Sequence, residues 1–142
     1  MAIVLLGAVV GCGGGGRSNK AEQESSLKPL AIFYGSYINQ HQGRPPSGES
    51  ELKAFLKEAA NADMLRAQFQ ITDIERLLIS PRDNKPYVVY YGSMLIGQGS
   101  GGAPVMAYEK EGVKGKRVVA SGMGAVVEVE DAELCKMVRE QG

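Results

Sequence analysis

Two cysteines and one histidine carry the strongest side-chain chemistry in this sequence: Cys12, Cys135 and His41. A bound metal ion usually needs three or four such ligands at a recognisable spacing, and these residues lie far apart along the chain. A catalytic thiol needs a neighbouring base, and the one imidazole is distant in sequence from Cys135. The sequence therefore predicts no metal, no cofactor and no catalytic residue, and it predicts that Cys135 is a small buried apolar residue.

The acidic and glycine-rich segments offer weaker chemical sites. Asp73 and Glu75, or Glu128, Glu130 and Asp131, are the residue types of an acid–base pair, but their spacing is typical of solvated surfaces. The glycine loop at residues 97–102 (GQGSGG) could hold a phosphate through backbone N–H groups, yet it lacks the Gly-Lys-Ser/Thr ending of a phosphate-binding loop. A small-ligand-binding protein or an enzyme that uses His41 and the 97–102 loop is the alternative interpretation.

Basic side chains form the candidate interaction surface. The stretch KEGVKGKR at residues 110–117 can contact an anionic surface, although such a stretch is usually a solvated turn. In HQGRPP at residues 41–46, we expect the histidine to cap or pack the end of a helix, and the arginine and prolines to fix a helix–helix turn. The candidate surface comprises Lys110, Lys114, Lys116, Arg117, Arg44 and His41.

The elements that position these residues follow from the spacing of apolar side chains. Residues 27–41 place such side chains at steps of three and four, which predicts a helix with Ser26 as its N-cap. A second helix is predicted after the two prolines, with Ser47 or Ser50 as its N-cap. The following segment, NADMLRAQFQITDIERLL, predicts either a third short helix or an irregular crossing.

From residue 77 the pattern changes to short apolar runs between turns, which is typical of strands. LLIS and YVVYYG around a turn predict a hairpin, PVMAYEK predicts a strand, and KRVVASGMGAVVEVE predicts a tight hairpin near Met123 and Gly124. DAELCKMVRE predicts a closing helix with Leu134, Met137 and Val138 inward. This order of elements predicts one α+β domain with an antiparallel sheet over residues 27–142.

Charge and aromatic content argue against a nucleic-acid partner. Lysine plus arginine and aspartate plus glutamate are balanced at 16 each, whereas broad capture of nucleic acid needs a basic face. Tryptophan is absent, and three phenylalanines with six tyrosines make a stacking platform for single strands unexpected. We therefore expect no nucleic-acid binding.

An apolar run precedes Cys12. Residues 2–10 (AIVLLGAVV) are too few to span a bilayer, which takes about 20 residues. They match the apolar region of a secretion signal, although no lysine or arginine precedes them. A buried strand and a cleaved soluble export signal are the alternatives. Residues 12–26 are rich in glycine and polar side chains, which predicts a flexible tether.

The sequence VVGC at residues 9–12 resembles the lipobox of bacterial lipoproteins. The resemblance implies that residues 1–11 are a signal peptide, that the sulfur of Cys12 receives diacylglycerol, and that its new amino group is acylated (palmitate). Several acyl chains make a stable membrane anchor. The implied location is the bacterial cell envelope, facing the periplasm, with the membrane and an envelope protein as partners. Gly13, in place of an aspartate, favours the outer membrane.

A second resemblance covers residues 27–140. YINQHQGRPPSGESELKAFL and VMAYEKEGVKGKRVVASGMGAVVEVEDAEL resemble stretches of small secreted proteins common in planctomycete bacteria, which are related to pseudopilin-like proteins with an H-X9-DG C-terminus. It implies a pilin-like fold, in which a long N-terminal helix and a short second helix pack on a small antiparallel sheet. The lipobox replaces the prepilin cleavage site, and Met123 replaces the usual aspartate.

These observations together favour a non-enzymatic, lipid-anchored envelope protein that acts as a docking or scaffolding module. A soluble cytosolic domain with an unprocessed N-terminus is a further alternative.

Overall fold

A computed structural model describes residues 18–92, 104–122 and 124–139. Four strands form one sheet in the order β1-β2-β3-β4, and every pairing is antiparallel. The predicted α+β class, with an antiparallel sheet and a C-terminal helix, is confirmed. In chain order the elements are α1 (Ser18–Glu24), α2 (Leu27–Gln40), α3 (Glu49–Lys57), α4 (Ala59–Phe69), α5 (Ile74–Leu77), β1 (Val88–Val89), β2 (Val105–Tyr108), β3 (Lys116–Ser121), β4 (Val126–Glu130) and α6 (Asp131–Arg139).

Helix α2 is the centre of the main core. Its apolar residues recur every three or four positions, so one face is buried along its whole length. This face packs on the side of the sheet that carries Met106, Ala107, Val118 and Ala120, which we call the inner face. Helices α3, α4 and α5 contribute further leucines and a phenylalanine to the same core. The fully buried residues of α2 are Leu27, Leu30, Ala31 and Tyr34.

The opposite face of the sheet, the outer face, is covered in part by α6. Val105, Val119 and Val129 of the sheet form a second apolar cluster with Leu134 of α6. Leu134 is therefore inward as predicted. The prediction that Cys135 is buried is wrong, because Cys135 is exposed. Successive helical residues point about 100° apart, so a residue that follows an inward leucine can face solvent.

Helix α1 occupies residues that the sequence assigns to the flexible tether 12–26. Ala21 and Ser25 are buried, and α1 packs against β4. The amide of Ser25 donates to the carbonyl of Ala21 at 3.0 Å. One alanine gives no apolar period, which is why the pattern of SNKAEQE predicts a linker. Residues 18–24 of the segment that the sequence assigns to a tether are therefore helical.

The structure differs from the sequence-based predictions at the helix N-caps and at the first hairpin. Ser26 precedes α2, but its hydroxyl donates to the carbonyl of Leu77 at 3.2 Å instead of capping the helix. The N-cap of α3 is Gly48 rather than a serine. LLIS (residues 77–80) does not form a strand, because Leu77 ends α5 and Leu78 is its C-cap. Only Ile79 pairs in strand fashion, in an isolated bridge with Pro86. The uncertain segment after α3 folds as helices α4 and α5.

Candidate functional site

Three predicted features lie outside the residues that the structure describes: Cys12, the glycine loop at 97–102, and Met123. Gly124, next to Met123, has φ +89°, a conformation that favours glycine and fits the predicted turn. Among the helices of residues 18–139 that are described, none is both long enough and apolar enough to cross a bilayer.

His41 closes the C-terminal end of α2. Its Nδ1 lies 2.8 Å from the carbonyl oxygen of Tyr37, and since a carbonyl can only accept, Nδ1 carries the proton. The imidazole also stacks on the ring of Tyr37, with centroids 3.8 Å apart and planes 9° apart. These contacts are the helix-end packing that the sequence predicts for His41.

Glu51 joins α2 to the start of α3. One of its carboxylate oxygens accepts a hydrogen bond from the hydroxyl of Tyr37. The other accepts from the hydroxyl of Ser47 and from the Ser47 amide, the latter at 2.9 Å. The Ser47 and Tyr37 hydroxyl bonds lower the pKa of Glu51 to about 2, and the bond to Glu51 raises the pKa of Tyr37. We call Tyr37, His41, Arg44, Ser47 and Glu51 the α2–α3 junction; with Pro45 they line an open depression of about 330 Å³.

The basic stretch at 110–117 forms the turn between β2 and β3. Lys110, Lys114 and Lys116 are exposed. Arg117 donates through Nε to Asp131 at 2.8 Å, and the Nζ of Lys116 lies 3.8 Å from a carboxylate oxygen of Glu130. Two of its four basic groups thus have acidic neighbours, which weakens the attraction of this turn for an anionic surface.

The structure separates the two halves of the candidate interaction surface. Val88, at the start of β1, pairs with Tyr108, which lies two residues before the basic turn. From Val88, β1 runs antiparallel to β2 and therefore away from the basic turn. Gly92, three residues after β1, donates its amide to the carbonyl of Pro46 in the α2–α3 connection at 2.8 Å. His41 and Arg44 therefore lie beyond the other end of β1 from the basic turn, so the six predicted residues do not form one continuous patch.

A buried polar cluster, which residue spacing does not predict, lies on the inner face. It includes Glu128, whose side chain is 18% exposed and pairs with Arg82, whereas the sequence predicts a solvated position for this glutamate. Arg82 donates through Nη1 to Glu109 at 2.9 Å and through Nη2 to Glu128 at 3.1 Å. The hydroxyl of Ser80 donates to the other oxygen of Glu109 at 3.0 Å. The side chain of Glu109 is fully buried, and that of Arg82 is 8% exposed. We call Ser80, Arg82, Glu109 and Glu128 the buried ion-pair cluster.

The carboxylate of Glu109 also takes part in the sheet. The backbone amide of Glu109 donates to the carbonyl of Val118 at 3.0 Å, and the amide of Val118 donates to the Glu109 carboxylate at 3.0 Å. Burial raises the pKa of Glu109, and the Val118 amide and Arg82 oppose that rise. One sequence signal could have located it: strand alternation from the buried Ala107 turns Glu109 inward, and a buried carboxylate needs a charged partner.

Asp83, beside this cluster, ties the loop after α5 to the basic turn. Its carboxylate accepts amide hydrogen bonds from Gly112 at 2.8 Å, Lys85 at 2.9 Å and Glu111 at 3.0 Å. Burial raises the pKa of Asp83, but these backbone bonds outweigh burial, and the pKa lies below its ordinary value. The charged groups at this end of the sheet thus serve to hold two loops together.

Comparison of the chain with protein-family models, with curated proteins and with solved structures gives no match.

Proposed function

We propose that this chain is a lipid-anchored module of the bacterial cell envelope, which docks or scaffolds another envelope component and catalyses no reaction. The observation that carries the proposal is VVGC at residues 9–12, an apolar run that ends in a small residue and a cysteine. Residues 1–11 would be removed, and Cys12 would carry diacylglycerol and an amide-linked acyl chain. Several acyl chains are needed for stable attachment to a membrane.

The position of α1 limits how far an anchor at Cys12 could lie from it. Five residues, 13–17, separate Cys12 from Ser18 of α1. An extended chain spans at most about 3.5 Å per residue, so Ser18 would lie within about 20 Å of the lipidated residue. A domain held this close to a bilayer is suited to meeting other membrane-attached partners, because tethering raises its local concentration.

The contacts of the polar clusters support structural rather than catalytic roles for His41, Glu51 and Glu109. His41 uses Nδ1 and its ring face on Tyr37, Glu51 accepts three hydrogen bonds from within the chain, and Glu109 accepts three more. Each of these groups stabilises an element or a connection. The resemblance to pseudopilin-like proteins belongs to the same proposal, with the lipobox favouring attachment over polymerisation.

Fatty-acid labelling tests the anchor directly. The full chain is expressed in a lipoprotein-processing bacterium supplied with an alkyne analogue of palmitate, together with Cys12→Ala and the matched control Cys135→Ala. We expect wild type and Cys135→Ala to be labelled and to fractionate with membranes. We expect Cys12→Ala to be unlabelled and, by intact mass, to retain residues 1–11. Equal labelling of all three chains, or an unmodified wild-type chain that begins at Met1, would overturn the proposal.

A further inference from the structure

The depression at the α2–α3 junction has charged groups of opposite sign on its walls. Arg44 supplies a guanidinium group and Glu51 supplies a carboxylate, and both residues are exposed. Ligand sites in proteins usually have volumes of about 300–1,000 Å³. This depression, with about 330 Å³, lies at the lower end of that range, so a ligand held in it would be small.

The guanidinium of Arg44 has no acidic partner in the part of the chain that the structure describes. The ion pairs found there all involve other basic groups. The backbone amide of Arg44 donates to the carbonyl of His41 at 3.2 Å, which holds its main chain next to the imidazole. A guanidinium presents five N–H donors in one plane and can bind a carboxylate through two parallel hydrogen bonds. Arg44 is therefore suited to bind an anionic group of a ligand.

The carboxylate of Glu51 is held in place, but its charge is not neutralised by a cation. Its three hydrogen bonds come from neutral donors of Tyr37 and Ser47. They lower its pKa to about 2, so the group is ionised at neutral pH. Among the described residues, no ion pair includes Glu51. A carboxylate has about four lone-pair sites, so Glu51 can accept one more hydrogen bond, and a cationic donor would also neutralise it.

His41 adds a second acceptor to the same depression. Its ring is held by the stack on Tyr37 and by the bond from Nδ1 to the Tyr37 carbonyl. With the proton on Nδ1, the Nε2 of the neutral ring is an acceptor, and no donor within the described residues bonds to it. An ammonium group has three N–H donors and no acceptor, so it is the cation that such acceptors suit.

We propose that the depression at the α2–α3 junction binds a small zwitterion, a free α-amino acid, whose carboxylate pairs with Arg44 and whose ammonium group pairs with Glu51. A simple carboxylate would be attracted by Arg44 but repelled by Glu51, and a simple amine would meet the reverse. A molecule that carries both charges is attracted by both walls. The inference goes beyond the docking function and does not depend on the lipid at Cys12, so either can fail without the other.

An NMR titration tests the class of ligand. The full-length chain with Cys12→Ser, which carries no lipid, is titrated with alanine, with propionate, which lacks the ammonium group, and with ethylamine, which lacks the carboxylate. We expect alanine to shift the amide signals of Arg44 and Ser47 and to bind about tenfold more tightly than either analogue, since each analogue loses a charge-assisted hydrogen bond. Equal affinity for alanine and propionate, no shift with alanine, or shifts only at amides away from the junction would overturn the inference.

Substitutions locate the two charged contacts. Because Arg44 is exposed, Arg44→Gln should leave thermal unfolding unchanged while it weakens alanine binding by about tenfold. Arg66→Gln is the matched control, since Arg66 is exposed, pairs with Asp63 and does not line this depression; it should leave the affinity within about twofold. Glu51→Gln should abolish the preference for alanine over propionate. Equal effects of the two arginine variants, or an unchanged preference in Glu51→Gln, would refute the site.

Discussion

Two glutamates in this molecule each accept three hydrogen bonds, and their pKa values move in opposite directions. Glu51, in the α2–α3 junction, is exposed, and its hydrogen bonds lower its pKa to about 2. Glu109, in the buried ion-pair cluster, has a raised pKa because burial removes the water that would solvate its charge. Since each glutamate accepts three hydrogen bonds, the difference in burial accounts for the opposite directions of these two pKa shifts.

The two clusters also differ in the stretch of chain that they connect. The α2–α3 junction joins residues 37–51, so it holds a local turn between consecutive helices. The buried ion-pair cluster joins the loop after α5 to β2 and β4, from Ser80 to Glu128. We therefore expect disruption of the second cluster to cost the whole domain more stability than disruption of the first.

The largest loss of stability is expected from Arg82→Met. Removing the guanidinium leaves Glu109 buried without its cation, which typically costs about 3–5 kcal/mol of unfolding free energy. The matched control is Arg76→Met, since Arg76 is 88% exposed and lies 3.9 Å from Asp73. That change should cost less than about 0.5 kcal/mol. Urea unfolding measures both, and similar small costs for the two variants would show that the cluster does not support the fold.

The pH dependence of stability should separate the two glutamates. The folded pKa of Glu51, about 2, lies below its ordinary value of 4.5, so its contribution is present above pH 4.5 and is lost as the pH falls toward 2. Glu109 has a raised folded pKa, so its contribution is greatest when it is protonated and declines as the pH rises above 4.5.

Urea unfolding over a pH series, with Glu51→Gln and Glu109→Gln, measures these slopes. The stability advantage of wild type over Glu51→Gln should shrink below pH 4.5. Wild type should lose stability relative to Glu109→Gln as the pH rises above 4.5. Parallel curves for the two variants would contradict the contrast between an exposed and a buried carboxylate.

A smaller effect is expected from His41→Ala. The change removes one hydrogen bond to the Tyr37 carbonyl and one stacked ring, together worth about 1 kcal/mol at this half-buried site. Gln40→Ala, at an exposed neighbouring position, is the control and should be nearly neutral. Thermal unfolding gives the comparison. Unchanged stability with loss of a small-ligand response would favour the alternative site built on His41 and residues 97–102.

The smallest effect is expected at Cys135, which belongs to neither cluster. Because its side chain is exposed, Cys135→Ser should change the unfolding free energy by less than about 0.5 kcal/mol. The thiol should react with a maleimide in the folded Cys12→Ala chain nearly as fast as in urea. Slow reaction in the folded chain would show that α6 presents a different face to the sheet.

Local pattern was sufficient for much of the fold. The three- and four-residue spacing from Leu27 onward predicts α2, a short apolar run predicts β2, and alternating apolar residues predict β3 and β4. These periods arise from backbone geometry, which is the same wherever the segment lies. Pattern failed at α1, where Ala21 packs against β4 without an apolar period, and at LLIS, where a helical turn uses leucines that resemble a strand.

In the candidate site, too, contacts between neighbours in sequence were predictable and contacts between distant segments were not. The packing of His41 at a helix end follows from neighbouring residues and was predicted. The partners of Glu109 come from the loop after α5 and from β3, which only the folded chain brings together.

By itself, the sequence determined the α+β class, the main helix, the strand segments and the lipobox-like VVGC, because each depends on residues close together along the chain. The tertiary structure decided that Glu109 is buried against Arg82, that Cys135 faces solvent, and that the basic turn and His41 lie apart. These features depend on which surfaces remain in contact with water after packing, and residue spacing does not specify that.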